Sequence, residues 1–262
     1  MSSIHELAKA GKPLTGLEVI DAHAHIGNVN IFNNPRNMAE DMIANMDALG
    51  VASACISALA AIQGDYKRGN DITIDAVTRY PGRFHGFVVI NPSYTDDIVH
   101  ELERCLKVDD MRGIKIHPAG HGFMPDHKYY NAVYETADKY SLPVLIHTWG
   151  SMDVAAVGNI APRYPNANLI MGHSGADSRG MEAAIDLVNK YDNVYGDLAI
   201  SLAYEGNVEW FVKEIGAEKV LYGTDMPFFS PSPNLGRVAM ADISDAEKKN
   251  VLGLNIKKLL RV

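Results

Sequence analysis

Apolar and polar positions recur along the chain in one repeated order. A short β-branched apolar run gives way to a loop, and the loop to a stretch with apolar residues three and four apart. Runs of the first kind begin near Val19, Val51, Phe84, Gly113, Pro143, Leu169, Val194 and Val220 and read as strands. Successive starts lie about 25 to 33 residues apart, the length of a strand plus the crossover helix that consecutive parallel strands require. The amphipathic stretches predict helices over Met38–Leu49, Asp97–Lys107, Tyr129–Tyr140 and Arg179–Tyr191, and Ser244 and Asp245 open a long last helix, Ala246–Leu260. Tyr80-Pro81-Gly82 and Tyr164-Pro165-Asn166 punctuate the units. Eight units fill residues 17–262 and predict a single-domain α/β fold, a closed (β/α)8 TIM barrel, with residues 1–16 as an N-terminal extension that forms a helix across one end. The rival, an open doubly wound sheet, wants a Gly-rich phosphate loop after its first strand, and none follows Asp21.

Chemistry gathers where those strands end. In Val19–Gly27, VIDAHAHIG, alternate side chains of a strand share a face, so His23 and His25 point the same way roughly 7 Å apart and can grip one ion. The active site of a barrel lies at the carboxyl ends of its strands. There the fourth strand, GIKIHP, places Lys115 and His117, the fifth, PVLIHTWG, His147, the sixth, NLIMGHSG, His173, and the eighth, VLYGTDMPF, Asp225. Each histidine singly fits a core residue satisfied by a backbone carbonyl. Their joint placement at strand ends fits convergence on one site.

Composition narrows the partners. The 262 residues carry a formal net charge of −8 and no run of Lys and Arg, which excludes nucleic acid and an anionic membrane surface as partners. No uninterrupted apolar segment is long enough to span a bilayer, and MSSIHELAKAGKP lacks the pattern of a signal peptide, so a cytoplasmic protein is expected. Cys55 and Cys105 sit in a strand and a helix and read as reduced packing residues rather than as a catalytic thiol.

The ordered set VIDAHAHIG, GIKIHP, PVLIHTWG, NLIMGHSG and VLYGTDMPF resembles the metal-dependent hydrolases of the amidohydrolase superfamily. It is most similar to the amidohydrolase-related branch that includes aminocarboxymuconate semialdehyde decarboxylase. The resemblance implies one divalent metal ion, zinc first with manganese or iron open, held by His23, His25, His147 and Asp225. It also assigns His173 to proton transfer and to orienting water or a developing oxyanion. With the ion in place, water is activated near neutral pH, Asp225 accepts its proton, and His173, if protonated, stabilises the charge that builds on oxygen. Asp21 is either an acceptor behind a ligand imidazole or a strand-start carboxylate with a structural hydrogen bond.

The same resemblance makes Lys115 a candidate carbamate bridge in a two-metal site, but His117 holds the strand-end position and favours one metal. Lys115 and His117 are then expected to bind a substrate carboxylate or carbonyl, the other reading for Lys115 being an ion pair with a carboxylate such as Asp197. Trp149 is taken as a substrate contact, and His121, Phe123, Tyr204, Phe228 and Phe229 also lie just past strand ends. Met226–Phe229 reads as a lid over the pocket. The expected function is hydrolysis of an amide, ester or lactone bond in a small carboxylated substrate. The alternative is non-oxidative decarboxylation or hydration of an unsaturated or aromatic carboxylic acid, and the compactness of the chain leans toward hydrolysis. A metal-free lactonase and a non-catalytic binding protein are further readings, the latter requiring loss of a ligand that this chain retains. A homo-oligomer is left open.

Overall fold

The computed structural model describes residues 3–29, 33–200 and 204–262. The first two residues of the expected N-terminal extension lie outside them. Eight parallel strands stand in sequence order around one sheet: β1 (Ile20–Ile26), β2 (Ser53–Ala58), β3 (Phe84–Val89), β4 (Met111–Ile116), β5 (Pro143–Trp149), β6 (Asn168–Gly175), β7 (Val194–Asp197) and β8 (Val220–Leu221). Helices fill the crossovers, and the whole is a single-domain (β/α)8 barrel, as the spacing predicts. Residues buried on both faces of such a sheet explain why the strands read as near-continuous apolar runs.

β8 is two residues long, and the ring is completed by the backbone that follows it. The Ala22 N–H donates to the Tyr222 carbonyl at 2.9 Å, Asp225 N–H to His23 O at 2.8 Å and His25 N–H to Met226 O at 2.6 Å. Closure therefore runs through the segment that carries Asp225 and fixes it against the His-x-His strand. Gly223 is required there: a Cβ would meet Asp197 Oδ1 at 2.4 Å and His23 Cβ at 2.8 Å.

The predicted last helix is broken. Asp245–Lys249 and Asn255–Leu260 are α-helical, and a π-turn, Asn250–Leu254, joins them. Its Gly253 lies on the backbone entering β1, where a Cβ would fall 1.7 Å from Glu18 O. The helix changes pitch to make that approach. The N-terminal segment forms the helix Ile4–Lys9, with Ile4 and Leu14 buried in the main core.

Candidate active site

An irregularity in the sheet aims the first two ligand candidates. Between Asp21 and Ala24, β1 advances three residues while β2 advances two, Ala54 to Ile56. The extra residue is a β-bulge, which breaks the alternation of side chains. Ile20 and Ala22 pack with Cys55, Phe87 and Leu145 in the small interior cluster. His23 and His25 follow on one side, ring centroids 5.2 Å apart.

The bulge also settles Asp21. Its carboxylate accepts the backbone N–H of His23 at 3.0 Å, the Thr224 N–H at 3.1 Å and the Thr224 hydroxyl at 2.5 Å. It therefore ties β1 to the segment after β8, which bears out the second of its two readings, a strand-start carboxylate with structural hydrogen bonds, and not the one that put it behind a ligand imidazole. Asp197, at the end of β7, has that place: His23 Nδ1 donates to its Oδ2 at 2.5 Å. Asp197 further accepts the His173 N–H at 3.3 Å and the Ala199 N–H at 2.7 Å. It is wholly buried, and burial pushes its pKa up to about 7.

These bonds set the tautomers. With Nδ1–H committed to Asp197, His23 presents Nε2 as an acceptor. His25 Nδ1 lies 3.0 Å from the Ser57 hydroxyl and 3.3 Å from the Ser57 carbonyl, and a carbonyl only accepts, so His25 also presents Nε2. Asp225 Oδ1 sits 3.7 Å and 3.1 Å from these two nitrogens. Burial opposes ionisation of Asp225, but the close approach of His25 and the nearby His173 and Lys115 side chains outweigh it and hold the carboxyl below its usual range. Three lone-pair atoms within 4.8 Å of one another, all buried, form a donor set that a divalent cation satisfies. The residues fit the ion.

His147 stands beside this cluster and outside it. His173 Nδ1–H donates to the Ala199 carbonyl at 2.9 Å, so His173 Nε2 accepts and the His147 Nδ1–H, 3.2 Å away, donates to it. His147 keeps Nε2 as an acceptor. Its ring lies in a near-parallel stack between His117, 3.9 Å distant, and Trp149, 5.9 Å distant. Burial pushes the His173 pKa down to about 4, which favours its neutral form near pH 7. His173 and Asp225 both take positive φ, 67° and 59°. Such backbone costs about 1–3 kcal/mol per residue and is held only where surrounding structure over-determines it.

Lys115 is wholly buried, with Nζ 3.0 Å from His23 Nε2. Burial lowers its pKa to about 8 against the pull of Asp225 and Asp197. It meets the donor nitrogen of His23 itself and is not among the described residues lining the cavity. That cavity, about 730 Å³, opens over His25, His147, His173 and Asp225. Of the other substrate candidates, His117, Trp149, Phe228 and Phe229 line it. His121, Phe123 and Tyr204 are not among the described lining residues. Met226 is buried, which removes it from the expected lid, and Phe228 and Phe229 are part of the cavity wall. Sequence reasoning missed Ser57 as the anchor of His25 and the apolar wall of Val29, Leu59 and Ile62. Ser57 carried the same signal as the residues found, a polar side chain near the end of an apolar strand. A second cavity, about 790 Å³, opens between the helices Ile98–Leu106 and Asn131–Tyr140 and holds none of these groups.

A barrel with an imidazole and carboxylate cluster at its strand ends defines the class. The amidohydrolase family model matches residues 20–262, and the chain belongs to that family. It is 23% identical to the gamma-resorcylate decarboxylase of Polaromonas sp., over 85% of this chain and 83% of that one. It is 23% identical to the 2-amino-3-carboxymuconate-6-semialdehyde decarboxylase of Dictyostelium discoideum, over 73% and 65%. Among solved structures, 2,6-dihydroxybenzoate decarboxylase from Rhizobium superposes with a TM-score of 0.77 at 16% identity, covering 94% of this chain and 99% of that one. The manganese complex of 5-carboxyvanillate decarboxylase from Novosphingobium aromaticivorans gives 0.75 at 17% identity, covering 94% and 97%. These relatives are decarboxylases, and none of them supports the expectation of hydrolysis.

Proposed function

We propose that this chain is a metal-dependent, non-oxidative decarboxylase of an aromatic or unsaturated carboxylic acid. The observation that carries the reading is the buried donor set of His23, His25 and Asp225, of which His25 and Asp225 line a cavity walled by rings and aliphatic groups, in a chain whose relatives decarboxylate such acids. His147, with Nε2 left as an acceptor, completes the ligands. Manganese is favoured over the expected zinc because solved relatives hold it beside aromatic acid analogues. When bound, the ion supplies a fixed positive charge that orients the substrate carboxylate and an adjacent oxygen.

The protein's own groups then do the following. Val29, Leu59, Ile62 and Phe228 exclude water from the ring, and the His117–His147–Trp149 stack lines the same cavity. The Nδ1–H of His147 and Nε2 of His173 hold one proton between them at the cavity edge. A proton taken up from solvent and passed by these two imidazoles to the carboxyl-bearing carbon, followed by cleavage of the bond to the carboxylate, returns the electron pair to the ring and releases carbon dioxide, with the imidazoles left as they began. Asp197 and Ser57 keep the two β1 imidazoles from turning.

The test is carbon dioxide release from hydroxylated benzoates and unsaturated acids by protein loaded with manganese. Release from at least one acid is the expected result. Turnover of esters, amides or lactones without carbon dioxide release would return the reading to hydrolysis. In the same assay His173→Asn is expected to retain the metal and lose at least about 100-fold in turnover, as removal of a proton-transfer group does. Loss of metal from that variant would make His173 a ligand instead.

A further inference from the structure

We infer that the site selects a substrate with a single carboxylate on an otherwise uncharged ring and rejects ring dicarboxylates; the inference rests on the decarboxylase reading. Among the described residues lining the cavity there is no lysine or arginine. Lys115, the cation nearest the donor set, is wholly buried against His23 and is not part of the wall. The imidazoles do not replace it. His117 Nδ1 accepts the Gly120 N–H at 3.0 Å, and an imidazolium has no acceptor nitrogen, so His117 is neutral. His147 and His173 share one proton, and His25 faces Asp225.

Among the described residues, positive charge at the cavity is thus confined to the donor set, which His25 and Asp225 bring to the wall and against whose His23 the Lys115 ammonium lies, and there the first carboxylate is held. The rest of the ring lies among Val29, Leu59, Ile62, Phe228 and the His147–Trp149 stack. Gln63 is the neutral polar side chain at the mouth. A second carboxylate on the ring would leave water for an apolar wall that offers no compensating cation, and a desolvated anion without a partner is strongly disfavoured. Neutral substituents such as hydroxyl or methoxyl meet no such penalty.

The experiment is calorimetric titration of the manganese-loaded full chain with 2-hydroxybenzoate and with 4-hydroxyisophthalate, the same ring bearing one more carboxylate. The monocarboxylate is expected to bind at least about 30-fold more tightly. Gln63→Arg, which places a cation at the mouth and leaves the ligands untouched, is expected to narrow that ratio by about 10-fold through tighter binding of the dicarboxylate. Equal or tighter binding of 4-hydroxyisophthalate to the unaltered protein overturns the inference and leaves the decarboxylase reading standing. If manganese binds and neither acid does, the inference falls, because the monocarboxylate preference is absent, while the decarboxylase reading is judged separately by carbon dioxide release.

Discussion

Asp197 and Asp21 are both wholly buried carboxylates beside His23, yet they act on different atoms. Asp197 accepts the imidazole proton and so decides which nitrogen His23 turns toward the cluster, whereas Asp21 accepts backbone N–H groups. Asp197→Asn is therefore expected to weaken manganese binding by about 10- to 100-fold while the barrel remains folded. Asp21→Asn should leave the affinity within a few-fold and lower the unfolding midpoint instead. Titration of manganese into both variants, paired with urea unfolding, separates the two roles; an unchanged affinity in Asp197→Asn would show that His23 is held by its packing alone. The candidate ligands His23, His25 and Asp225, which the fold brings together, were legible because each interrupts an apolar run at a strand end. The partner of His23 was not, because strict alternation puts Asp21 behind the ring and one bulge residue, which no local pattern announces, removes it.

The strands were the most legible elements. Observed starts fall within two residues of the expected ones, since apolar runs buried on both faces leave little choice of period. The last helix was legible as helical but not as interrupted, because its break answers a contact with β1 more than two hundred residues away in sequence. Gly253 and Gly236 make the point testable. At Gly253 an added Cβ would strike the Glu18 carbonyl, a backbone atom that cannot swing aside. Gly253→Ala is expected to destabilise by about 3 kcal/mol, the scale of a forced core clash. At Gly236, inside the helix Pro231–Ala239, nothing lies within 4 Å of the added atom. Gly236→Ala should stabilise by up to about 1 kcal/mol through helix propensity alone. Urea midpoints moving in the same direction for both would contradict the packing seen at the π-turn.

Across the whole molecule, stability and site occupancy are linked through buried imidazoles. An ion bound to the folded chain alone adds about 2.7 kcal/mol when its concentration is a hundred times the dissociation constant, so manganese should raise the unfolding midpoint in proportion to the logarithm of its excess. Protonation of the ligand histidines opposes this, which complicates any acid titration of the site. His85, on β3 and remote from the cluster, gives a cleaner reading. Burial lowers its pKa below the ordinary 6.5, with Asp110 offsetting part of the effect, and its Nε2 meets the Ser53 hydroxyl at 3.2 Å. A histidine whose folded-state pKa is depressed lets the unfolded chain take up a proton first as the pH falls. Its contribution is therefore complete above the unfolded value and is lost below it. With manganese saturating, the drop in urea midpoint from about pH 7 to about pH 5 is expected to be shallower in His85→Gln, which keeps a hydrogen-bonding group for Ser53 but cannot titrate. Parallel curves for the two proteins would place the acid sensitivity at the site end of the barrel, among His117, His147 and His173.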